Sequence, residues 1–130
     1  MNYRIIDGAD NMKMEDIRRL LKMTYWADQR SPETVERSVK NSSCYGIYLE
    51  DEDKLVGFAR VISDYATTFY LADVIIDTEY QRQGLGTALL SYVLSLPVYQ
   101  GLRGILLTTY AHDLYRKFGF ELNAEKAMTR

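Results

Sequence analysis

The fold is decided by residues 72–86, which read Ala-Asp-Val-Ile-Ile-Asp-Thr-Glu-Tyr-Gln-Arg-Gln-Gly-Leu-Gly. The first part, up to Ile76, is rich in residues that favour a β-strand. The second part brings Gly84 and Gly86 to the start of an apolar helical pattern. Glycine lets the backbone approach a ligand closely, and the free N–H groups of a first helical turn attract anions. The stretch therefore predicts a strand, a loop suited to a phosphate or pyrophosphate, and a helix.

Glycines in this arrangement also have an ordinary interpretation, which is a tight turn between a strand and a helix. Two known phosphate-binding loops do not match. The nucleoside triphosphate loop ends in Gly-Lys followed by Ser or Thr, and the dinucleotide loop has a third glycine where this chain has Leu89. Arg82 adds a positive charge to the loop. The loop alone therefore indicates an anion site without identifying the ligand.

The elements on either side of this stretch predict an α+β fold. In chain order they are a strand over 3–6, a helix that begins at Asp10 or Asn11 and includes 17–24, a helix over 31–40, strands over 44–49, 55–62 and 69–76, a helix over 84–96, a strand over 104–109, a helix over 111–118 and a last hairpin from 120–122 and 127–129. The three middle strands are joined by short polar connections and should form an antiparallel meander. The strand–helix–strand unit after them should be a right-handed parallel crossover.

Composition limits the kind of protein further. The 130 residues are 47% hydrophobic and 26% charged, which fits one globular domain over residues 1–130. A net charge of −2 argues against a nucleic-acid partner, and no stretch has the roughly 18 apolar residues of a membrane helix. The single cysteine, Cys44, rules out an internal disulfide and indicates a reducing compartment, the cytoplasm. It lies in an apolar run, which favours a packed strand residue over a nucleophile.

Two motifs carry a resemblance to a known family. The loop Gln81-Arg82-Gln83-Gly84-Leu85-Gly86 resembles the coenzyme A loop of the GCN5-related N-acetyltransferase (GNAT) superfamily, whose pattern is Gln/Arg-x-x-Gly-x-Gly/Ala between a strand and a helix. Residues 111–120, Ala-His-Asp-Leu-Tyr-Arg-Lys-Phe-Gly-Phe, are similar to the family's Ala-x-x-Leu-Tyr-x-Lys-x-Gly-Phe. The two motifs stand in the right order, separated by a helix and a strand. On these residues the chain is identified as a member, most similar to the short single-domain bacterial type.

The resemblance implies a fold and an activity. The fold is a mixed, mostly antiparallel central sheet flanked by helices, with a splayed strand pair that forms the acetyl-coenzyme A cleft. The implied activity is direct transfer of acetyl from acetyl-coenzyme A, with no metal, to a primary amine of a small molecule. The alternatives are a noncatalytic acyl-coenzyme A sensor and a protein or peptide N-acetyltransferase. No nucleic-acid or membrane partner is implied, and a homodimer is left open.

The resemblance also assigns the cofactor contacts. The pantetheine arm would add to the fourth strand like a short extra strand. Its backbone contacts are Val74, Ile75 and Ile76, and the N–H of Ile75 or Ile76 would meet the developing oxyanion. The pyrophosphate contacts are Gln81, Arg82, Gln83, Gly84, Leu85, Gly86 and Thr87. Thr108 departs from the family, because many members have an asparagine at this place that bonds the cofactor arm.

Two residues are catalytic candidates. Tyr115 matches the family's tyrosine that protonates the leaving thiolate; its alternative is packing of the last helix. Asp73 matches an acidic residue of members that acetylate polyamines or amino sugars, where it would take a proton or orient the amine; its alternative is a strand-end carboxylate in a hydrogen bond. His112, the one histidine of the sequence, is a further candidate for acid–base chemistry, but a solvated or capping role explains it equally well.

The acceptor side is expected around the first two helices. Its candidates are Trp26, Arg30 and Tyr70, with Tyr25, Asp28 and Tyr65 as further ones. Trp26 is either an aromatic wall of the cleft or a residue of the core. Nothing in the sequence identifies the acceptor.

Overall fold

The computed structural model describes residues 2–130. Its strands are β1 (Tyr3–Asp7), β2 (Ser43–Leu49), β3 (Lys54–Ser63), β4 (Thr68–Ile76) and β5 (Arg103–Ile105). Its helices are α1 (Met14–Leu21), α2 (Pro32–Lys40), α3 (Leu85–Ser95) and α4 (His112–Arg116). Short 3-10 turns lie at Ala9–Asn11, Thr78–Tyr80 and Pro97–Tyr99.

The strands form one mixed sheet in the order β1-β2-β3-β4-β5. Neighbours from β1 to β4 are antiparallel, and β4 and β5 are parallel. The parallel pair is joined through α3, which is the predicted crossover. The α+β class, the antiparallel meander and its two short connections are confirmed.

Helices cover both faces of this sheet. On one face α3 inserts Leu89 and Val93, which are fully buried. On the other face α1 inserts Ile17, Leu20 and Leu21, which lie in a second apolar cluster. Burying one such side chain stabilises the fold by about 1.5–3 kcal/mol. The periodic apolar positions that predicted the helices are therefore the ones that attach them to the sheet.

The starts of the first two helices differ in how well the sequence predicted them. Ser31 caps α2, because its Oγ accepts a hydrogen bond from the N–H of Thr34 at 3.1 Å. The prediction that Asp10 or Asn11 begins α1 is wrong. Those residues form a 3-10 turn, and α1 begins at Met14 without a side-chain cap.

The C-terminal part also departs from the sequence prediction. The strand expected over 104–109 is limited to Arg103–Ile105, and the expected last hairpin over 120–122 and 127–129 has no strands. Residues 121–130 are all exposed. Leu122 and Met128 are their only large apolar side chains, so this segment has too little apolar surface to hold a strand against the sheet.

A buried carboxylate fixes the end of β4. Asp77, only 1% exposed, accepts hydrogen bonds from Arg19 Nη1 at 2.8 Å and from the N–H of Glu79 at 3.0 Å. Lys54 Nζ lies 3.6 Å from the same carboxylate. Burial raises the pKa of Asp77, but these donors outweigh burial and hold the pKa below its ordinary value. Asp77 therefore ties β4 to α1 just before the glycine loop.

We expect Asp77→Ala to lower the free energy of unfolding by about 1.5–3 kcal/mol, because it removes the buried carboxylate that accepts hydrogen bonds from Arg19 and from the N–H of Glu79. The measurement is urea unfolding at neutral pH. Asp113→Ala is the control, since Asp113 pairs with Arg116 on the surface, and it should cost less than about 1 kcal/mol.

The same experiment has a pH dependence. The folded-state pKa of Asp77 is lowered, so its contribution is complete above its unfolded pKa near 4 and is lost as the pH falls through the folded value. The difference between parent and variant should therefore shrink in acid. A difference that stays constant down to about pH 2 would contradict this role.

Candidate functional site

A gap opens between β4 and β5. The two strands pair only where Thr68–Tyr70 of β4 faces Arg103–Ile105. Beyond Tyr70, β4 remains paired with β3 as far as Ile76, while its other edge loses its partner. The backbone of Val74, Ile75 and Ile76 therefore lines an open edge, as the splayed strand pair of the sequence analysis requires. An open edge of this kind can accept one more extended segment.

A bulge shapes β4 at the start of this open edge. Asp73 and Val74 together oppose the single residue Ala59 of β3. Asp73 has a φ of 45°, in the left-handed region that residues other than glycine seldom adopt. Such backbone costs about 1–3 kcal/mol and persists only where the surroundings hold it.

Three side chains hold Asp73. Trp26 Nε1 donates to Oδ1 at 2.9 Å, while Arg30 Nη1 and Arg60 Nε donate to Oδ2 at 2.7 and 2.8 Å. The Asp73 side chain is only 2% exposed. Burial raises its pKa, but the two guanidinium groups outweigh burial and hold the pKa below its ordinary value. Asp73 is therefore ionised at neutral pH and is a weak base.

An exposed group of aromatic rings lies beside this carboxylate. The ring of Tyr25 meets Trp26 edge to face at 5.0 Å and Tyr110 at 5.8 Å. These residues, which we call the aromatic group, come from the loop after α1 and the loop before α4. Their exposures are 60%, 43% and 85% for Tyr25, Trp26 and Tyr110. Trp26 is thus a surface residue and not part of the core.

The other tyrosines named from the sequence lie apart from the aromatic group. Tyr70 pairs with Ile105 at the last step before the gap. Tyr65 stacks on Tyr99 at 6.1 Å and hydrogen-bonds Ser43, beside the first residues of β2. The structure therefore joins Trp26 and Arg30 at Asp73, leaves Tyr70 nearby on the same strand, and separates Tyr65 from them.

The glycine loop is an exposed turn at the end of β4. Gln81 Nε2 donates to the carbonyl of Ile76 at 3.0 Å, which fixes the loop to the end of β4. Arg82 and Gly84 both have left-handed backbone, with φ of 64° and 83°. Backbone of this kind turns successive N–H groups toward one point, where an anion can bind. No acidic residue occupies the first turn of α3, and no side chain caps it.

Gly86 shows that the loop has room for a ligand. A Cβ built on it would meet only Ile76 Cγ1, at 3.7 Å, which is an ordinary contact. The fold itself therefore does not require glycine at this position, whereas the close approach of a ligand would. Leu85 is 3% exposed and buries its side chain in the core, so only its backbone can serve a ligand. The arrangement fits a pyrophosphate on the start of α3.

The second motif has a structural explanation around Tyr115. Gly119, with a φ of 88°, lies in the turn that follows α4, and the N–H of Phe120 returns to the carbonyl of Tyr115 at 3.3 Å. This turn brings the Phe120 ring edge to face with the Tyr115 ring at 6.1 Å. Burial raises the pKa of Tyr115 to about 12. Its phenol is therefore protonated at neutral pH and able to donate a proton.

A cavity of about 310 Å³ lies between β5, α4 and the C-terminal segment. Thr108, His112 and Tyr115 line it, but no residue of the glycine loop does. His112 is the first residue of α4 and does not cap it. Thr108 Oγ1 accepts a hydrogen bond from the N–H of Ala111 at 3.1 Å, which leaves its hydroxyl proton to be donated. The glycine loop is instead open surface, so the two features are separate parts of the site.

Three further findings concern metal ligands, membrane helices and the single cysteine. Within residues 2–130 no group of three His, Cys, Asp or Glu side chains could hold a metal ion. No helix in the described part is long and apolar enough to cross a membrane. Cys44 is buried, and burial raises the pKa of its thiol to about 11, so it is not a thiolate at neutral pH. Cys44 is the packed strand residue that its apolar neighbours indicated.

Sequence reasoning missed two residues of the site. Arg60 lies within the apolar strand sequence Gly57-Phe-Ala-Arg-Val-Ile62, and an arginine in such a strand is a sign of a buried partner. Tyr110 carried no signal, because only the fold brings it to Tyr25.

Comparison with known proteins agrees with this geometry. The model of the Acetyltransferase (GNAT) family matches residues 13–120. A crystal structure of a GNAT-family protein from Xanthomonas campestris is 34% identical and has a TM-score of 0.91, covering 100% of this chain and 93% of that one. A GNAT acetyltransferase from Elizabethkingia anophelis, solved with acetyl-coenzyme A bound, has the same fold, with 17% identity, a TM-score of 0.72 and coverage of 94% and 78%.

Among curated proteins, Histone acetyltransferase TAP1 of soybean (Glycine max) is 26% identical over 133 residues, which is 93% of this chain. The chain spans 57% of TAP1 and 30–31% of two further plant relatives. The family model covers most of the chain, the Xanthomonas protein matches it from end to end, and both signature motifs lie where the fold uses them. The chain therefore belongs to the GNAT acetyltransferase family.

Proposed function

We propose that this protein transfers acetyl from acetyl-coenzyme A to a primary amine of a small-molecule acceptor by direct attack. The observation that carries the proposal is the uncapped start of α3, where Gly86 leaves space that the fold does not need. Membership of the family and the open edge of β4 support the same assignment.

The proposed cofactor contacts follow the geometry. The pyrophosphate binds the N–H groups of residues 82–87, with Arg82 as a nearby cation. The pantetheine arm lies along the open backbone edge of Val74–Ile76. Thr108 donates its hydroxyl proton to the arm in place of the family's usual asparagine. Only backbone groups of Leu85 and Ile75 take part, because both side chains are buried.

Tyr115 is proposed as the acid that protonates the leaving thiolate. Its pKa of about 12 keeps the phenol protonated, and the cavity beside it gives access. The edge-to-face contact with Phe120 holds the ring in one orientation. The hydroxyl makes no hydrogen bond to another side chain within residues 2–130, so it is free to serve a ligand.

Asp73 is proposed as a positioning residue and not as a free base. An alkylamine has a pKa near 10.4, so keeping it neutral at pH 7 costs roughly 4–5 kcal/mol. Asp73 already accepts three hydrogen bonds and has a lowered pKa, which leaves it little capacity to take that proton. Its role is to hold Trp26 and Arg30 at the bulge, where they face the acceptor.

A protein or peptide acceptor is the second candidate. It is favoured by the name of the soybean relative, a histone acetyltransferase, and by the exposed aromatic group, which would suit a peptide lying across the surface. A noncatalytic acyl-coenzyme A sensor is less well supported, because it has no need of Tyr115. Release of free thiol with a panel of small amines and lysine peptides separates the three.

Acetyl-coenzyme A should raise the melting temperature, because a ligand that binds only the native state stabilises it. At a hundred times its Kd the gain is about 2.7 kcal/mol, equivalent to several degrees. S-acetylpantetheine, which lacks the pyrophosphate, is the control and should give a much smaller shift. No shift with millimolar acetyl-coenzyme A, measured by differential scanning fluorimetry, would contradict the proposed function.

A further inference from the structure

We infer that the amine acceptor carries an anionic group, a carboxylate or a phosphate, and that Arg30 binds it beside the β4 bulge. The inference rests on the proposed function, since it names the acceptor class for that activity. The resemblance of Asp73 to the acidic residue of other family members had indicated the opposite charge for the acceptor. There the carboxylate would meet a cationic amine. The side-chain contacts of Asp73 reverse that expectation.

The carboxylate of Asp73 has little remaining capacity to bind a cation. Its two oxygens accept hydrogen bonds from Trp26, Arg30 and Arg60, and its side chain is 2% exposed. An ammonium group would have to displace one of these donors to reach the carboxylate. It would also have to approach two guanidinium groups, which repel it.

The cluster therefore has an excess of positive charge. Two arginines face one carboxylate, which leaves a net charge of +1 on Arg30, Arg60 and Asp73. Asp28, the other carboxylate of the loop after α1, makes no ion pair within the described residues, so it does not neutralise the cluster by contact.

Arg30 is the arginine that a ligand can reach. Its side chain is 27% exposed, whereas that of Arg60 is 10% exposed and also donates to Ser42 Oγ at 3.0 Å. Arg30 makes one hydrogen bond to Asp73, through Nη1. The remaining N–H groups of a guanidinium form a planar fork that matches a carboxylate or a phosphate. Asp73 thus holds Arg30 in place and leaves its outer edge available.

The aromatic group completes the site. Trp26 donates to the same carboxylate as Arg30, so its ring lies beside the guanidinium. Tyr25 packs against Trp26, and both are exposed. An acceptor with its anionic group on Arg30 would place its carbon skeleton on these rings and its amine toward the open edge of β4. Apolar walls with a few placed polar groups are typical of small-molecule sites.

The test uses matched acceptors that differ only in the anionic group. One pair is an α-amino acid and its amide, and the other is O-phosphoethanolamine and ethanolamine. The assay is thiol release with saturating acetyl-coenzyme A, and spermidine represents cationic acceptors. We expect kcat/KM to be roughly ten- to a hundredfold higher for the anionic member of at least one pair, as a charge-assisted hydrogen bond typically provides. The pair that shows the preference identifies carboxylate or phosphate as the group bound.

Variants of Arg30 test whether this residue causes the preference for anionic acceptors. Arg30→Gln should remove the preference by raising the KM for the anionic acceptor, with the KM for acetyl-coenzyme A unchanged. Arg30→Lys should restore part of it, because the charge is kept but the planar fork is lost. Arg37→Gln, at an exposed arginine of α2, is the matched control and should behave as the parent. If Arg30→Gln does not fold, Arg30→Lys and the salt dependence of the parent's KM still report the contact, since screening should raise that KM.

Equal kcat/KM within each pair, or a preference for spermidine, would overturn the inference. So would an anionic preference that Arg30→Gln leaves intact. If no acceptor is turned over, titration calorimetry of the same pairs on the coenzyme A complex decides the question. If an anionic acceptor binds to the parent but not to Arg30→Gln, the anion site is upheld. The proposed acetyl transfer is in that case the part of the account that fails. Binding of neither member overturns the site, and the melting-temperature shift with acetyl-coenzyme A reports separately on the cofactor.

Discussion

Tyr115→Phe should lower kcat by about 10²–10⁴-fold, the loss that removal of a positioned acid typically causes. The substitution keeps the ring, and with it the packing on Phe120 at 6.1 Å, so the melting temperature should change little. The phenol acts mainly in the transition state, so the KM values should stay near those of the parent. The measurement is steady-state kinetics with any active acceptor, beside a melting curve.

The packing role of Tyr115 predicts the opposite pattern, with near-normal turnover and a loss confined to stability. A kcat within about threefold of the parent would remove Tyr115 from the mechanism, because that is far below the effect of a general acid. Product release can hide a slower chemical step, so a pre-steady-state measurement of acetyl transfer should accompany the kinetics.

Gly86→Val should abolish binding of acetyl-coenzyme A while the circular dichroism spectrum is largely kept. A Cβ at Gly86 would meet only Ile76 Cγ1, at 3.7 Å, so the backbone there has room for a side chain. The same side chain would occupy the space in which a pyrophosphate approaches the first turn of α3. Gly84 is not suited to this test, since its φ of 83° makes any side chain strained. Titration calorimetry with acetyl-coenzyme A measures the effect.

Ser91→Val is the matched control for Gly86→Val. It places the same β-branched residue at an exposed position of the same helix, so it shows what a valine on α3 does away from the glycine loop. Its affinity for the cofactor should equal that of the parent. Normal affinity in a folded Gly86→Val protein would show that the anion site lies elsewhere.

The sequence predicted the parts of the fold in which local pattern and packing agree. The apolar spacing of Ile17, Leu20 and Leu21 predicted a helix, and the same residues bury it against the sheet. The C-terminal segment was predicted less well. Leu122 and its neighbours have some strand propensity, but a strand needs a partner, and β5 ends at Ile105.

The candidate site was predicted residue by residue, but not as an arrangement. The two motifs identified the glycine loop and Tyr115 because their chemistry depends on neighbours close in sequence. Asp73, Trp26 and Arg30 were named separately. Their hydrogen bonds join residues that are 43 and 47 positions apart in the sequence. The bonds also depend on the bulge at Asp73, whose φ of 45° no local sequence pattern predicts. Arg60 completes the group from a third element, and it reverses the charge that Asp73 alone suggested.

The measurement that tests the central claim most directly is a crystal structure of the protein with acetyl-coenzyme A. We expect the pyrophosphate oxygens to lie at hydrogen-bond distance, about 3 Å, from N–H groups of residues 82–87. We also expect the pantetheine arm along Val74–Ile76 and the thioester sulfur within reach of the Tyr115 hydroxyl. A cofactor bound away from the start of α3, with the gap between β4 and β5 still open, would contradict the proposed acetyl transfer site.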